Sequence, residues 1–179
     1  TVTDINGPGA ADVADAINAK YGDGTAFAWQ QDVTAPDRWP TVLQEAHDAM
    51  GGLNILVNNA GIGSLGSVED EAYETYQHVM KVDVDSIFLG CKYAIPLMRD
   101  HGLGSIINIS SIAGIVASGN YVSYNTAKAA VRHLSKSIAL HLAKTRGQIR
   151  SNSVHPVFVN PPILDGVKQM FGEEEGLAK

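Results

Sequence analysis

Short strand-like runs alternate with longer helix-like runs along nearly the whole of this 179-residue chain, and that alternation limits the fold more than any other feature. Strands are expected near residues 1–5, 25–31, 53–58, 105–111 and 150–155, and helices near 8–21, 37–50, 68–99 and 122–145. Strand and helix joined by short links form right-handed βαβ crossovers, and repeated crossovers build a parallel sheet covered on both faces. The expected fold is therefore α/β, a doubly wound, Rossmann-like parallel sheet in a single domain over residues 1–179. The run at 105–111 is rich in isoleucine, as a strand buried on both faces should be, and its end opens onto a cleft.

Three side chains converge on that cleft. Ala127, Ala130, Val131, Leu134, Ile138 and Leu142 recur at helical spacing, so Tyr124 and Lys128, four apart, share one face of a long helix. Ser111 closes the strand thirteen residues before Tyr124. A hydroxyl, a phenol and an ammonium together can move a proton to or from a carbonyl or alcohol oxygen. A free tyrosine has a pKa of about 10, and acting as a base near neutrality means lowering it by roughly 2–3 units, or about 3–4 kcal/mol. A neighbouring cation favours the phenolate and supplies much of that. Ser111 would bond the substrate oxygen and steady its developing charge. Taken alone, a tyrosine and a lysine four apart are common helix-surface residues.

A second motif strengthens the first. The strand at 53–58 ends in Asn58, Asn59, Ala60 and Gly61, and here the chain resembles the short-chain dehydrogenase/reductase family. The resemblance runs in order from Thr1 to about Leu164. It takes in Asp4 at the end of the first run, Asp32 and Val33, the turn at 58–61, Ser111, Tyr124 with Lys128, and Asn152 to Pro156. It implies that Ser111, Tyr124 and Lys128 do the chemistry and that Lys128 also holds the nicotinamide ribose. Asp4, Ile5, Asp32, Val33, Asn59, Ala60, Gly61, Tyr124, Lys128, Pro156 and Val159 would line the cofactor, with Asp32 and Val33 flanking adenine. By the same resemblance Thr1 begins at the second strand, so the first strand with its Gly-rich turn, and the last strand, are expected to belong to a longer enzyme.

Asp4 bears on the cofactor. An acid ending that strand accepts bonds from both ribose hydroxyls and repels the 2′-phosphate of NADP, and no arginine follows within fifteen residues. NAD is the expected cofactor. Gly61, Gly63 and Gly66 fit a GxGxxG pattern with Asp83 about twenty residues on, but the fingerprint needs a strand ending at Asp83. Tyr76, Val79, Met80, Ile87 and Cys91 instead continue a helical pattern, so these glycines are assigned to a turn beside the nicotinamide.

Three positions depart from the family. Asp83 stands where a helix-kinking asparagine supports a water relay to the lysine, Val157 replaces a glycine, and Pro161 replaces a threonine. Asp83 accordingly joins the catalytic set of Ser111, Tyr124 and Lys128, the alternative being an ordinary acid on the helix surface. The expected activity is that of an NAD-dependent alcohol dehydrogenase or carbonyl reductase. An epimerase or dehydratase of the extended family and a catalytically weak dinucleotide-binding protein are the rivals. Ile112, Ala113, Gly114, Val116, Asn120, Tyr121, Val159, Met170 and Phe171 would wall a mainly apolar substrate site for an alcohol or ketone.

Composition bounds the remaining choices. A net charge of −6 argues against nucleic acid or an anionic membrane as partner. The single Cys91 allows no internal disulfide and reads as a small core residue, and the six histidines form no metal pattern, with His155 packing at a strand end. No apolar run approaches 18 residues and no signal peptide is evident, which makes the cytoplasm the default location. The family's habit of pairing its two long helices predicts a dimer or tetramer, with Val79, Leu89, Leu140 and Ala143 as surplus apolar positions.

Overall fold

The computed structural model describes residues 1–145 and 148–157. β1 (Val2–Asp4) leads through α1 (Gly7–Tyr21) to β2 (Ala28–Gln30), which lies parallel to β1 with Thr3 opposite Trp29. α2 (Arg38–Met50) then crosses to β3 (Ile55–Asn58). α3 (Tyr73–Met80) and α4 (Ser86–His101) lead into β4 (Leu103–Ile109), and α5 (Val122–Lys144) into β5 (Gln148–Val154). β3, β4 and β5 form a parallel sheet in that order, with Val57 opposite Ile107 and Ile107 opposite Asn152. Every described strand pair is parallel, as the alternation predicted.

Sequence explains each element. Asn6 caps α1 by accepting the Gly9 amide at 3.2 Å, with Pro8 in the first turn. In α2, Trp39, Val42, Leu43 and Ala46 recur at helical spacing and form its buried stripe. Trp39, Val42 and Leu43 pack with Leu53, Ile87, Met98, Ile106, Val131 and Leu142 into a core shared by the three-stranded sheet and its helices. Fully burying one such side chain contributes about 1.5–3 kcal/mol. Cys91 belongs to this core, where burial pushes its thiol up to about 12.

One expectation needs correction. The long helix expected over 68–99 begins only at Tyr73 and is interrupted by a π-helical turn over Lys81–Asp85. Periodicity misses such a turn because the extra residue slides the apolar stripe round without breaking it. β1–β2 and β3–β4–β5 are separately hydrogen-bonded, which leaves open between β1 and β3 the place that the first strand takes in a doubly wound sheet. A cleft of about 730 Å³ lies between them, lined from both sides by Thr3, Asp4, Ile55 and Val57 and floored by Trp39, Val42 and Leu43 of α2.

Candidate active site

Most of the expected cofactor residues line this one cleft. Asp4, Ile5, Asp32, Val33, Asn59, Ala60 and Gly61 all face it from the carboxyl ends of β1, β2 and β3, the place where open α/β sheets take their ligands. Asp4 Oδ1 accepts the Asn6 amide at 2.8 Å. Asp32 accepts both the amide and the hydroxyl of Thr34, at 2.8 and 2.7 Å, and these bonds hold its carboxyl below the usual range. The Trp39 indole N–H donates to the Val33 carbonyl at 3.0 Å, tying the loop after β2 to α2. Gln31 adds a residue that sequence reading missed. Its side chain is buried at the cleft wall and its Nε2 has no partner among the described residues. The ligand-bearing part of the cleft is its rim at the carboxyl ends of the strands, where Asp4, Asp32 and the 59–61 turn stand together.

Lys128 and Asp83 stand beside Gly61, at one end of the cleft, and Tyr124 beside Gly63. Tyr124 lies in the first turn of α5, and Lys128 Nζ sits 5.4 Å from the centre of its ring. Lys128 is buried, donates to the Ile109 carbonyl at 3.2 Å and pairs with Asp83 Oδ2 at 2.9 Å. The π-helical turn carries Asp83 inward. The side chain has no exposed surface, and Oδ1 accepts the Ile62 amide at 2.8 Å. Asp83 is thus not an ordinary surface acid. Burial drives its carboxyl above the usual range, and Lys128 opposes that rise. Gly61 joins the two halves, because a Cβ there would lie 3.0 Å from Lys128 Nζ and 3.2 Å from Asp83 Oδ2.

Ser111 caps the short 3-10 turn Ile112–Gly114, its Oγ accepting the Ala113 amide at 3.1 Å. His155 Nδ1 lies 3.0 Å from the Ser111 carbonyl, and Pro156 accepts the Ile112 amide at 2.9 Å. Pro156 therefore braces the serine turn. The turn is pressed onto α5: Ser110 Oγ donates to the Lys128 carbonyl at 2.8 Å, and a Cβ at Gly114 would approach that carbonyl oxygen to 2.6 Å. Gly114 is thus a glycine that this close packing requires. Val159, Pro161, Met170 and Phe171 lie outside the described residues.

Beneath the site runs a polar ladder that sequence reading also missed. Asn108, fully buried in β4, accepts from Asn58 at 2.8 Å and donates to Ser135 at 2.9 Å. It holds the base of the 58–61 turn against α5. Position 108 interrupts an isoleucine run, which was the available signal.

Residues 61–66 do not form the dinucleotide fingerprint. No helix opens there, and Gly66 bridges in parallel to Tyr121. The expected interface also changes: Val79 is buried, while Phe88 and Leu140 are the large apolar residues exposed on α4 and α5. Among the described residues no group of three potential metal ligands occurs, and no helix is long and apolar enough to cross a membrane.

Parallel strands with helices packed against them, and a cleft at the strands' carboxyl ends, define a Rossmann-like α/β protein. The chain belongs to the short chain dehydrogenase family, whose family model matches residues 1–171. It is 41% identical over 154 residues to a 3-alpha-(or 20-beta)-hydroxysteroid dehydrogenase of Mycobacterium tuberculosis (strain CDC 1551 / Oshkosh), covering 86% of this chain and 58% of that protein. It is 37% identical to an NADP-dependent (R)-specific alcohol dehydrogenase of Lentilactobacillus kefiri, over 83% of this chain and 58% of that one. Sorbitol-6-phosphate 2-dehydrogenase SrlD from Erwinia amylovora superposes with a TM-score of 0.82 at 28% identity, covering 86% of this chain and 59% of its own. The chain thus spans less than two thirds of the length of these relatives.

Proposed function

We propose that the full-length protein is an NAD-dependent oxidoreductase acting on a secondary alcohol or its ketone. The observation that carries this reading is the meeting of the Tyr124–Lys128 pair with the Asp4–Asp32 cleft at Gly61. A bound nicotinamide cofactor would supply the hydride acceptor or donor. The chain's own residues would do the rest. Asp4 and Asp32 hold the adenosine end, Asn59, Ala60 and Gly61 support the middle of the cofactor, and Lys128 reaches its ribose. Ser111 bonds the substrate oxygen, and Tyr124 exchanges a proton with it, since an oriented phenol is a competent general acid or base.

NAD is preferred on the position of Asp4, although the Lentilactobacillus relative is described as NADP-dependent. The exposed Ile115 and Val116 near the serine turn, and the hydroxysteroid dehydrogenase relative, favour an apolar alcohol. Phe88 and Leu140 suit pairing of two copies into a dimer or tetramer.

Absorbance in the NADH band, with a panel of secondary alcohols, tests the reading. Net NADH production supports it and speaks against an epimerase, a dehydratase or a protein that only binds the cofactor. Tyr124→Phe should retain NAD binding and lose at least about 10²-fold in turnover. Near-normal turnover in that variant would refute the mechanism.

A further inference from the structure

Lys128 has little charge to spare. An ammonium has three donors, and here one meets the Ile109 carbonyl at 3.2 Å while Asp83 Oδ2 stands 2.9 Å away. The carboxylate is itself fixed by the Ile62 amide and has no exposed surface, so water screens the pair poorly. The charge that should favour a phenolate at Tyr124 is opposed from its other side.

The remaining surroundings do not offset this. Glu71, from the segment before α3, is bonded to Ser64 Oγ at 2.9 Å and stands at Gly66. His155, after β5, contacts the Ser111 carbonyl and Ser153 Oγ. β4 presents the Ile109 carbonyl. Tyr121 precedes α5. Glu71, His155 and Tyr121 are common to every Asp83 variant and cancel from a comparison between them.

We infer that Asp83 is a positioning residue that withholds part of the Lys128 charge from Tyr124, setting the site for carbonyl reduction at neutral pH and confining alcohol oxidation to alkaline pH. The inference rests on the function proposed above. In reduction, the Tyr124 O–H bond breaks and its proton goes to the carbonyl oxygen, while the carbonyl carbon gains hydride from the reduced nicotinamide and the C=O π bond is lost. Oxidation is the reverse and needs the phenolate to accept the alcohol proton. The alcohol–ketone equilibrium belongs to the reactants. Asp83 alters only the fraction of enzyme carrying the right protonation state.

The first test uses the full-length protein without cofactor or substrate. The ultraviolet phenolate difference signal is titrated in wild type and Asp83→Asn, with Tyr124→Phe on each background subtracted. Removing the opposing charge should move the Tyr124 signal to lower pH by about one unit. The rising limb of the oxidation rate should follow, and oxidation turnover at pH 7 should increase roughly fivefold, bounded by the tenfold of one unit. The KM for cofactor should stay within about twofold, because Asp83 does not face the cleft. A signal that stays in place, or moves to higher pH, in a folded Asp83→Asn protein overturns the inference. Should that variant fail to fold, Asp83→Ser takes its place in the same titration, with the same shift expected and the same outcomes overturning the inference. Loss of the proposed function would show separately, as Tyr124→Phe retaining turnover.

Discussion

Lys128→Met should expose how much the fold depends on the buried ion pair. The substitution keeps the side chain's length and apolar stem but leaves Asp83 fully enclosed without a cation. Breaking a buried pair from one side costs about 3–5 kcal/mol, and in a chain of 150–250 residues each kcal/mol lowers Tm by roughly 2–4 °C. Near pH 8 the expected fall in Tm is therefore about 6–20 °C. The sign with pH follows from Asp83. Burial raises its carboxyl above the ordinary 3.8, and without Lys128 nothing comparable opposes that rise. The folded variant then binds a proton more readily than the unfolded chain, so its stability drops as pH increases from about 3.8 upward. The deficit relative to wild type should thus be smallest at acid pH and grow toward pH 8. Calorimetry or circular-dichroism melts of the full-length protein between pH 4 and 8 measure it. Adding Asp83→Asn should recover most of the loss, because a missing pair is cheaper than a broken one. A deficit independent of pH, or a double variant no better than the single one, would refute the reasoning.

Three further outcomes are expected. Gly114→Ala should destabilise the protein and lower turnover, since its Cβ would meet the Lys128 carbonyl oxygen at 2.6 Å; melting curves and steady-state rates report both. Asn108→Leu, which strands the Asn58 carboxamide inside the core, should cost about 1–3 kcal/mol in denaturant unfolding. Asp4→Ala, combined with an arginine in the loop after β1, should shift cofactor preference toward NADP, read as the ratio of kcat/KM values; a wild type that already prefers NADP would refute the role given to Asp4.

The sequence revealed most where one local rule decides geometry. The four-residue spacing of Tyr124 and Lys128 on a strongly periodic helix placed them together without tertiary information. The turn at 58–61 was legible because a strand ended there in small and amide residues. Asp83 was only half legible. Its departure from the family pattern marked it, but its burial depends on the π-helical turn, which a 3.6-residue template averages away. Asn108 and Gln31 were not recognised, because a strand's apolar pattern tolerates one polar position and the partner that decides its role lies far along the chain. Asn58 and Asn108 are fifty residues apart. Val79 was misplaced for the same reason as Asp83: the π-helical turn changes which face each half of the segment presents.

Gly61 makes the cleft and the ion pair one physical unit. Its neighbour Ile62 donates the amide that fixes Asp83, and Gly61 itself has no side chain where Lys128 and Asp83 approach. Movement of the 58–61 turn on cofactor binding would therefore pull on the Ile62–Asp83 bond directly. Beneath it, the Asn58–Asn108–Ser135 ladder anchors the same turn to β4 and α5, the elements that carry Ser111 and Tyr124. A side chain at position 61 would either displace the ammonium or push the turn into the cleft. The two effects separate experimentally: Gly61→Ala should shift the Tyr124 phenolate titration if the ammonium gives way, and should weaken cofactor binding, read by calorimetric titration, if the turn does. With a Cβ at 3.0 Å from Nζ, against the 3.4 Å where ordinary contact begins, a few tenths of an ångström must be found somewhere. The long lysine stem is softer than a turn braced by a buried amide ladder, so the titration is the readout expected to move. Weakened binding with an unchanged titration would show that the turn is the softer partner.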